Sequence, residues 1–366
     1  MNSKTIEGYD TLLHRKIMSL PKVSLVFPCW HAAQHMPHVL EDLQAQTFKD
    51  FEAILVSDGD DSQLEAMEAI AAKDSRIRIV RLEKNGGVAA ARNAGMDAVT
   101  TEWVTYPDPD DRLGPNYVRS LFEAVDGKDV QMACGGFRKV KVDTGETLYF
   151  YPDIDGSLEI LDMVDGYEKM FAQNIHWWAW NKLYSMEIIR KHGLKQDIRF
   201  SNVNEDHQFN LRYFPNVKKV CLIKDCDYSY LQYGNMMQET SRYHSNFMQM
   251  WQGVIDLSVH YHRQIGWNEE RIEREKKLRT LAGIRFTFMK LFFLKAHLSI
   301  TEATTELQKE YFDHSEYVNI IKQGHFGKNL LLRLIQLLTH TNSARTTAII
   351  FSAIGFVARI LNKSVN

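Results

Sequence analysis

The feature that most constrains this chain is an alternation of short apolar runs with helical stretches over its first hundred or so residues. Four apolar runs are predicted to be buried strands: Val23–Phe27, Phe51–Ser57, Ile77–Leu82 and Trp103–Tyr106. Helix-like segments separate them: His35–Gln46, Ser62–Lys73 and Val88–Val99. Strands that alternate with helices in this way indicate βαβ units and a parallel sheet. The sequence therefore predicts an α/β fold whose mostly parallel central sheet is flanked by helices.

Polar and glycine-rich residues follow each of these four strands. They are Pro28–Trp30, Asp58–Asp61, Asn85–Gly87 and Asp108–Asp111. Right-handed crossovers place the carboxyl ends of parallel strands at one edge of the sheet, where ligands of open α/β sheets bind. Any one of these segments alone is more simply a surface turn. Their recurrence at consecutive strand ends indicates a binding site.

Composition and charge exclude several classes of function. The formal net charge of -2 gives no polybasic character of the kind that binds nucleic acid. The four cysteines show no CxxC spacing and are too few for a disulfide scaffold, which argues against a zinc site and an oxidising compartment. The first residues lack the succession of basic, apolar and small residues of a signal peptide. These features predict a cytoplasmic location.

The pattern divides the chain into three regions. Residues 1–20 are predicted to form a short docking helix, residues 21–244 the α/β domain, and residues 245–366 a helical region, with a boundary near Ser241–Ser245. Within the α/β domain, Val130–Tyr151 has an antiparallel strand pattern around a turn at Thr144–Glu146.

The last part of the chain is apolar and basic. No Asp or Glu occurs from Lys322 to Asn366, and the longest apolar run, Thr346–Ala358, is too short to span a membrane. Arg345, Ser352, Arg359 and Lys363 share one helical face. This pattern is typical of a helix that lies on an anionic membrane surface. The alternative is a helix packed on the rest of the protein or in a dimer.

Asp108 and Asp110 form an Asp-x-Asp pair in a turn after an apolar strand, so both carboxylates can converge on one cation. Mg²⁺ and Mn²⁺ prefer oxygen ligands and commonly bridge carboxylates to phosphates. Such an ion would neutralise the charge that develops on the β-phosphate of a departing nucleoside diphosphate. Asp-x-Asp alone is a weak signal because Asp is frequent in turns. The strand context makes Mn²⁺ or Mg²⁺ the expected cofactor.

Several segments, taken in order, resemble family 2 of the inverting glycosyltransferases. They are VSLVFPCW at 23–30, QTFKDFEAILVSDGDDS at 46–62, NGGVAAARNAGMD at 85–97, YPDPDDRLGPNY at 106–117, WNKLY at 180–184 and IRFSNVNEDHQF at 198–209. The likeness covers Pro21–Ser241. No single segment is specific to the family, but the whole set in this order is. It implies a GT-A nucleotide-diphospho-sugar transferase fold with a C-terminal α-helical extension.

The resemblance implies roles at the strand ends. It places on the donor side Pro28, Asp58, Asn85, Gly86, Arg92 and Asp108. The backbone at Pro28 would line the base pocket, and Asp58 would accept a hydrogen bond from the base, most often uracil. Arg92 would support the nucleotide, Asp108 would lie near the ribose and the metal, and Asp110 would bind the metal.

Two departures from the family pattern occur. The family usually has two acids before the glycine, where this chain has Ser57–Asp58. After the acidic pair the family often has Tyr-Tyr-Arg and a Ser-containing stretch that helps to bind the diphosphate. Ser229–Met236 has no Arg, and no Ser after its first residue, so Arg242 or His244 would have to substitute.

Glu205 and Asp206 resemble the family's acidic pair that supplies the catalytic base. Inversion by direct displacement requires a base on the acceptor face that removes the hydroxyl proton as the anomeric carbon is attacked. By resemblance, Asp206 is the base, and Glu205 supports it or contacts the acceptor. The alternative is that both acids interact with the dipole of the helix that follows.

An aromatic run, His176–Trp180, precedes the acidic pair. Trp177 and Trp178 could form a platform for the acceptor sugar, or belong to the core, as is expected of Trp180. Lys182 and His176 could reach phosphates or acceptor hydroxyls, or be satisfied internally.

The resemblance implies an inverting enzyme that moves a sugar from a UDP-sugar to a hydroxyl of a glycan or lipid-linked oligosaccharide during bacterial surface polysaccharide synthesis. The enzyme would act in the cytoplasm, on the inner face of the plasma membrane if the C-terminal helices bind it. A nucleotidyltransferase of similar fold is one alternative, but it would need a basic glycine-rich loop that Pro28–Gln34 lacks. A non-catalytic scaffold that retains the fold is the other.

Overall fold

A computed structural model describes residues 21–201, 203–233, 245–292 and 298–363. The docking helix predicted at residues 1–20 lies outside these residues. So do residues 241–244 of the predicted boundary, with both candidate substitutes, Arg242 and His244.

Strands in the described part of the chain form two sheets. They are β1 Val23–Cys29, β2 Phe51–Asp58, β3 Ile77–Leu82, β4 Trp103–Thr105, β5 Arg112–Leu113, β6 Met132–Gly135, β7 Phe137–Lys141, β8 Thr147–Phe150, β9 Leu158–Asp162, β10 Lys182–Ser185, β11 Lys219–Ile223 and β12 Tyr228–Gln232. The larger sheet has the order β3-β2-β1-β4-β10-β6-β11-β9, and the smaller has the order β5-β12-β7-β8. Strands β1 to β4 pair in parallel, as the sequence predicts.

Helices cover the larger sheet and continue beyond it. They are α1 Met36–Ala45, α2 Leu64–Ala71, α3 Val88–Ala98, α4 Tyr117–Glu123, α5 Met163–Ala172, α6 Met186–Lys191, α7 Glu205–Tyr213, α8 Phe247–Gln264, α9 Glu269–Phe292, α10 Ile300–Leu307, α11 Ser315–Gln323, α12 Leu330–Thr339 and α13 Ala344–Lys363. The predicted α/β fold with a C-terminal helical extension is confirmed.

The centre of the larger sheet is buried on both faces. Every residue of β2 is buried, which is typical of a parallel strand covered by helices on both sides. Helix α3 packs close to the sheet at Gly95, where a Cβ atom would come within 2.3 Å of Val26 Cγ1. This close approach brings the first turn of α3 to the carboxyl ends of β1 and β2.

Notable differences from the sequence predictions concern the end of β1, the pairing of β6 and the start of α7. Strand β1 continues through Pro28 to Cys29, because Pro28 keeps its register opposite Val56 of β2. The antiparallel pattern of Val130–Tyr151 is confirmed for the β7–β8 pair, but β6 joins the larger sheet parallel to β11. Helix α7 begins at Glu205, so both acids lie in its first turn rather than before the helix.

Two apolar cores fill the described residues. The larger extends from Val23 through the sheet to Tyr228 and includes Tyr261 of α8. The smaller is built mainly from α8 to α13, and Phe247 and Met248 of α8 belong to it. Helix α8 therefore connects the α/β half with the C-terminal helices. No helix within the described residues combines the length and apolarity that membrane crossing requires.

Candidate active site

A cleft of about 760 Å³ opens at the carboxyl ends of the parallel strands. Its lining includes the residues predicted from the sequence: Pro28, Asp58, Asn85, Arg92, Asp108, Asp110, Glu205 and Asp206. Trp177 and Trp178 line it too, and α8 and α9 contribute a further set of side chains. The fold thus brings the separate sequence motifs to one cavity.

Asp58 holds the glycine turn that follows β3. Its carboxylate accepts hydrogen bonds from the backbone N–H of Gly86 at 2.8 Å and of Gly87 at 2.9 Å. Burial raises the pKa of Asp58, and the two backbone bonds oppose that rise. Gly59 has a φ of 68°, and a Cβ atom there would lie 2.1 Å from Asn85 N. Gly86 therefore takes part through its backbone, as the residue that orients Asp58.

Gln63 is a site residue that sequence reasoning missed. It is fully buried, and its amide donates to Cys29 O at 2.8 Å and to Ser57 Oγ at 3.1 Å. Its carbonyl oxygen accepts from Ala32 N at 2.9 Å. These bonds fasten the end of β1 to the end of β2. A lone Gln at the start of a helix carries no sequence signal for this role.

Arg92 lies at the centre of the acidic groups. It is 2% exposed, and its Nη2 donates to Asp108 Oδ1 at 2.8 Å. Its Nη1 donates to Asp206 Oδ1 and lies 3.4 Å from Glu205 Oε1. Burial opposes the charge of this group, but Asp206, Asp108 and Glu205 outweigh burial and raise the pKa of Arg92. One guanidinium thus joins the carboxylate after β4 to the acidic pair on α7.

Two of the carboxyl groups that contact Arg92, those of Glu205 and Asp108, are harder to ionise than ordinary acids. Burial raises the pKa of Glu205 to about 7, with a further contribution from Asp206, while Arg92 acts against the rise. Burial also raises the pKa of Asp108 to about 7; Arg92 again opposes it, and Asp110 and Asp206 add to it. Two acids that titrate near neutral pH in one cleft are typical of sites that handle protons or cations.

Asp110 and Asp111 face different surroundings although they are adjacent. Asp110 is half-buried and lines the cleft. Asp111 is buried, and it accepts from Tyr228 Oη at 2.5 Å and from Leu231 N at 2.8 Å. Asp111 therefore anchors β12 of the smaller sheet, which leaves Asp108 and Asp110 as the acids directed at the cleft.

The start of α7 fixes the orientation of the acidic pair. Asn204 precedes the helix with a left-handed φ of 57°. Asp206 Oδ2 accepts a hydrogen bond from Ala179 N at 2.9 Å, and its other oxygen meets Arg92. Both oxygens of Asp206 are thus held in place, whereas the described contact of Glu205 with Arg92 is longer.

The aromatic run has a mixed role. Trp177 and Trp178 are half-buried and line the cleft, while Trp180 is 1% exposed and stacks on Tyr228 with ring centroids 4.4 Å apart. The expected acceptor contact of Lys182 is wrong. Its fully buried ammonium donates to Ile175 O, Trp178 O and Asn181 Oδ1, so its three donors are satisfied inside the protein.

Asp108 and Asp110, which follow β4, can supply some of the oxygen ligands that a hard divalent cation needs. Asp108 and Asp110 present carboxylate oxygens to the cleft, which is the donor type that Mg²⁺ and Mn²⁺ prefer. Across the described residues, no group of three or more His, Cys, Asp or Glu side chains is arranged to hold a metal ion. The residues therefore fit a cation that takes its remaining ligands from phosphate oxygens and water.

The fold and the cleft define an α/β protein with a ligand site at the carboxyl ends of its parallel strands. Residues 24–193 match the family model Glycosyl transferase family 2. This match confirms the resemblance of that part of the chain to the family. Solved structures of S. aureus TarS have the same fold: a complex with UDP gives a TM-score of 0.54 and one with UDP-GlcNAc 0.56, each at 15% identity over 92% of this chain and 91% of the other.

Curated relatives include further bacterial glycosyltransferases. The uncharacterized glycosyltransferase EpsJ of Bacillus subtilis is 28% identical over 60% of this chain. The glycosyltransferase GlyG of Streptococcus pneumoniae is 25% identical over 60% of this chain, and the cholesterol galactosyltransferase of Borreliella burgdorferi 28% over 62%. The chain spans 64%, 73% and 64% of the lengths of these three relatives.

Proposed function

We propose that this protein transfers a sugar, with inversion, from a UDP-sugar to a hydroxyl of a glycan or lipid-linked oligosaccharide in surface polysaccharide synthesis. The observation that carries the proposal is the Arg92 cluster, which joins the Asp-x-Asp carboxylate to the acidic pair within one cleft. Relatives named glycosyltransferases and TarS complexes with UDP and UDP-GlcNAc support the same reaction class and nucleotide. Neither alternative from the sequence gains comparable support.

The strand ends form the donor side in this proposal. Pro28 would contact the base through its backbone, and Asp58 would accept from the base while it holds the turn at Gly86. Asn85 lines the same part of the cleft and would contact the nucleotide. Arg92 would not grip the diphosphate directly, because its described bonds go to three carboxylates; it would orient Asp108 toward the donor.

Asp108 and Asp110 would hold Mn²⁺ or Mg²⁺ together with the diphosphate. When bound, such an ion would supply a Lewis acid that offsets negative charge on the departing nucleotide. The two carboxylates would fix the position of the diphosphate relative to the acidic pair, since Arg92 links Asp108 to Asp206. Inversion would require the departing nucleotide and the base to lie on opposite sides of the sugar.

Asp206 would remove the proton from the acceptor hydroxyl. A base must lie within hydrogen-bond reach of the proton it removes, and Asp206 lines the cleft with both oxygens fixed. Glu205 would contact the acceptor beside it, because its carboxylate also lines the cleft. A position at the inner face of the plasma membrane, through the basic C-terminal helices, would bring the protein to lipid-linked acceptors.

The direct test is a thermal-shift screen of UDP-, GDP- and dTDP-sugars with and without Mn²⁺. A ligand that binds the native state raises Tm, so a UDP-sugar with Mn²⁺ is expected to give the largest increase. Asp110→Ala should abolish the Mn²⁺-dependent part of that increase. Asp61→Ala is the matched control, because Asp61 follows β2 at the same edge but is exposed and pairs with Arg81. The absence of any nucleotide-sugar response in the parent protein would refute the proposal.

A further inference from the structure

The cleft continues from the strand ends onto helices α8 and α9. Four side chains of these helices line it: Phe247, Trp251, Phe286 and Lys290. We call this set the helical wall. It lies beyond the region of sequence that carries the acidic motifs, and neither the aromatic run at residues 176–180 nor the strand ends contribute to it.

The helical wall lines the same cleft as the acidic pair and is linked to it through Val203. Arg92 connects Asp108 to Asp206, and Val203 precedes the acidic pair in sequence. Val203 is buried in the C-terminal core together with Phe247. The order of contacts thus runs from the Asp-x-Asp turn through the acidic pair to α8.

Trp251 is held rigidly in the helical wall. Its indole Nε1–H donates to Arg279 O of α9 at 2.8 Å. The indole lies against Gly283, where a Cβ atom would come within 2.6 Å of Trp251 Cδ1 and 2.7 Å of Nε1. Any larger residue at position 283 would push the ring off the helix. Trp251 is nevertheless only half-buried and reaches the cleft.

The neighbouring rings extend the same surface. The ring centroids of Phe247 and Trp251 are 5.6 Å apart, and those of Trp251 and Phe286 are 5.7 Å apart. Lys290 is buried, with its ammonium 5.1 Å from the Phe247 ring centroid. Aromatic rings provide flat apolar faces with fixed geometry, which suit the C–H face of a pyranose.

We propose that the helical wall is the acceptor subsite, where Trp251 and Phe286 stack against the sugar ring that carries the attacking hydroxyl. This inference rests on the proposed function. With the nucleotide and its diphosphate at the strand ends, the acceptor would reach the acidic pair through the rest of the cleft, part of which the helical wall lines. The C-terminal helices then select the acceptor, and the α/β half binds the donor.

The test measures donor and acceptor binding separately. The probes are UDP with Mn²⁺, followed by a panel of p-nitrophenyl glycosides of glucose, galactose, N-acetylglucosamine and N-acetylgalactosamine, titrated by saturation-transfer NMR. We expect at least one glycoside to bind the UDP-loaded parent protein. Trp251→Leu and Phe286→Leu should weaken that binding at least tenfold and leave the UDP-dependent Tm increase unchanged.

Phe326→Leu is the matched control, because Phe326 packs on the same C-terminal core but lies outside the cleft. It should leave glycoside binding unchanged. If Trp251→Leu and Phe286→Leu bind glycosides as tightly as the parent protein does, the proposal is overturned. A panel in which no glycoside binds the parent protein would overturn it as well. A parent protein that shows no response to UDP would instead reject the proposed function. If Trp251→Leu and Phe286→Leu lose binding to anionic vesicles but keep the glycoside affinity of the parent protein, the helical wall binds lipid and the proposed sugar subsite is wrong.

Discussion

Asp206 is the residue on which the proposed chemistry depends most directly. We expect Asp206→Asn to lower kcat at least 100-fold, because the amide cannot accept the hydroxyl proton and general base catalysis contributes about 100- to 10,000-fold. The Asn side chain still fits beside Ala179 N, so UDP affinity should change little. Sugar transfer and UDP titration of both proteins provide the measurement.

Asp61→Asn is the control for this substitution, since Asp61 is an exposed acid at the same sheet edge. It should leave kcat unchanged. Normal turnover in the Asp206 variant would assign the role of base to another group, and Glu205, the adjacent residue in sequence, would be the next candidate. A loss of UDP binding equal to the loss of kcat would show that Asp206 serves the donor site instead.

Arg92 is expected to contribute to stability, because it is a buried cation among acids. Arg92→Met leaves three carboxylates without their shared partner, and the loss of one member of a buried ion pair costs about 3–5 kcal/mol. Since the acids retain some access to solvent, we expect a decrease of about 3 kcal/mol in the free energy of unfolding, measured with urea. Arg81→Met removes an exposed pair and should cost less than about 1 kcal/mol. Equal effects of the two substitutions would contradict the central position of Arg92.

Among the helices, α8 depends on a carboxylate that is distant in sequence. Glu310 follows α10, and its two oxygens accept from Asn246 N at 2.8 Å and from Met248 N at 2.7 Å. These N–H groups belong to the start of α8, which lacks a side-chain cap of its own. Glu310 thus occupies the place of an N-terminal cap for the helix that carries the helical wall.

Glu310→Gln should therefore lower the free energy of unfolding by about 1–2 kcal/mol, because an amide NH₂ replaces one acceptor opposite a buried N–H. Glu302→Gln is the matched substitution, since Glu302 completes a capping box at the start of α10 and Gln serves equally well there. Urea unfolding should show no change in the midpoint for Glu302→Gln. A neutral Glu310→Gln would mean that water or a neighbouring group already satisfies those donors.

The difference between local signals and contacts that are distant in sequence explains how much of the fold the sequence predicts. Strands β1 to β4 and the polar segments after them are visible because each combines an apolar run with its own exit residues. The Asp-x-Asp turn and the acidic pair belong to the same local kind of signal. By contrast, Glu310 acts on Met248 from 62 residues away, and Gln63 bonds to Cys29 from 34 residues away. Periodicity carries no information on such pairs.

The helical wall and the burial of Lys182 show a second limit of prediction from the sequence. An aromatic residue at helical spacing has the same pattern whether it faces a core or a cleft, so the spacing on α8 does not distinguish Trp251 from its buried neighbours. Lys182 is charged and lies next to a Trp-rich run, which suggests exposure. The Lys182 ammonium can nevertheless be buried, because it donates hydrogen bonds to three oxygen acceptors. Only the assembled fold supplies those acceptors.

At the scale of the whole molecule, buried histidines join the α/β half to α8. His262 of α8 bonds to Tyr167 Oη at 2.9 Å and stacks on Trp267 with ring centroids 3.8 Å apart. Burial, assisted by the charges of Arg279 and Arg271, lowers the pKa of His262 to about 3. Burial also lowers the pKa values of His176 and His207 in the same junction. The native state therefore keeps these rings neutral, whereas the unfolded chain protonates them below pH 6.5.

The sign of the pH effect follows from that difference. The contribution of His262 to stability is complete above pH 6.5 and is lost as the pH falls toward 3, at about 1.4 kcal/mol per pH unit. Asp108 and Glu205 act in the opposite direction, because a raised pKa makes the folded state take up protons first. The pH dependence of the parent protein alone thus mixes both effects. A comparison with His262→Gln isolates the histidine, since the acids are common to both proteins.

We expect His262→Gln to destabilise the protein at pH 7.5 through loss of the ring stack, and this cost to shrink by about 1.4 kcal/mol at pH 5.5. Urea unfolding of both proteins at the two pH values measures the change. His260→Gln is a suitable control, because His260 lies on the same helix α8 but its ring is exposed and outside the buried junction. A cost of His262→Gln that stays constant or grows on acidification would show that the folded protein accommodates the protonated ring, and the junction of the two halves would then not depend on neutral histidine.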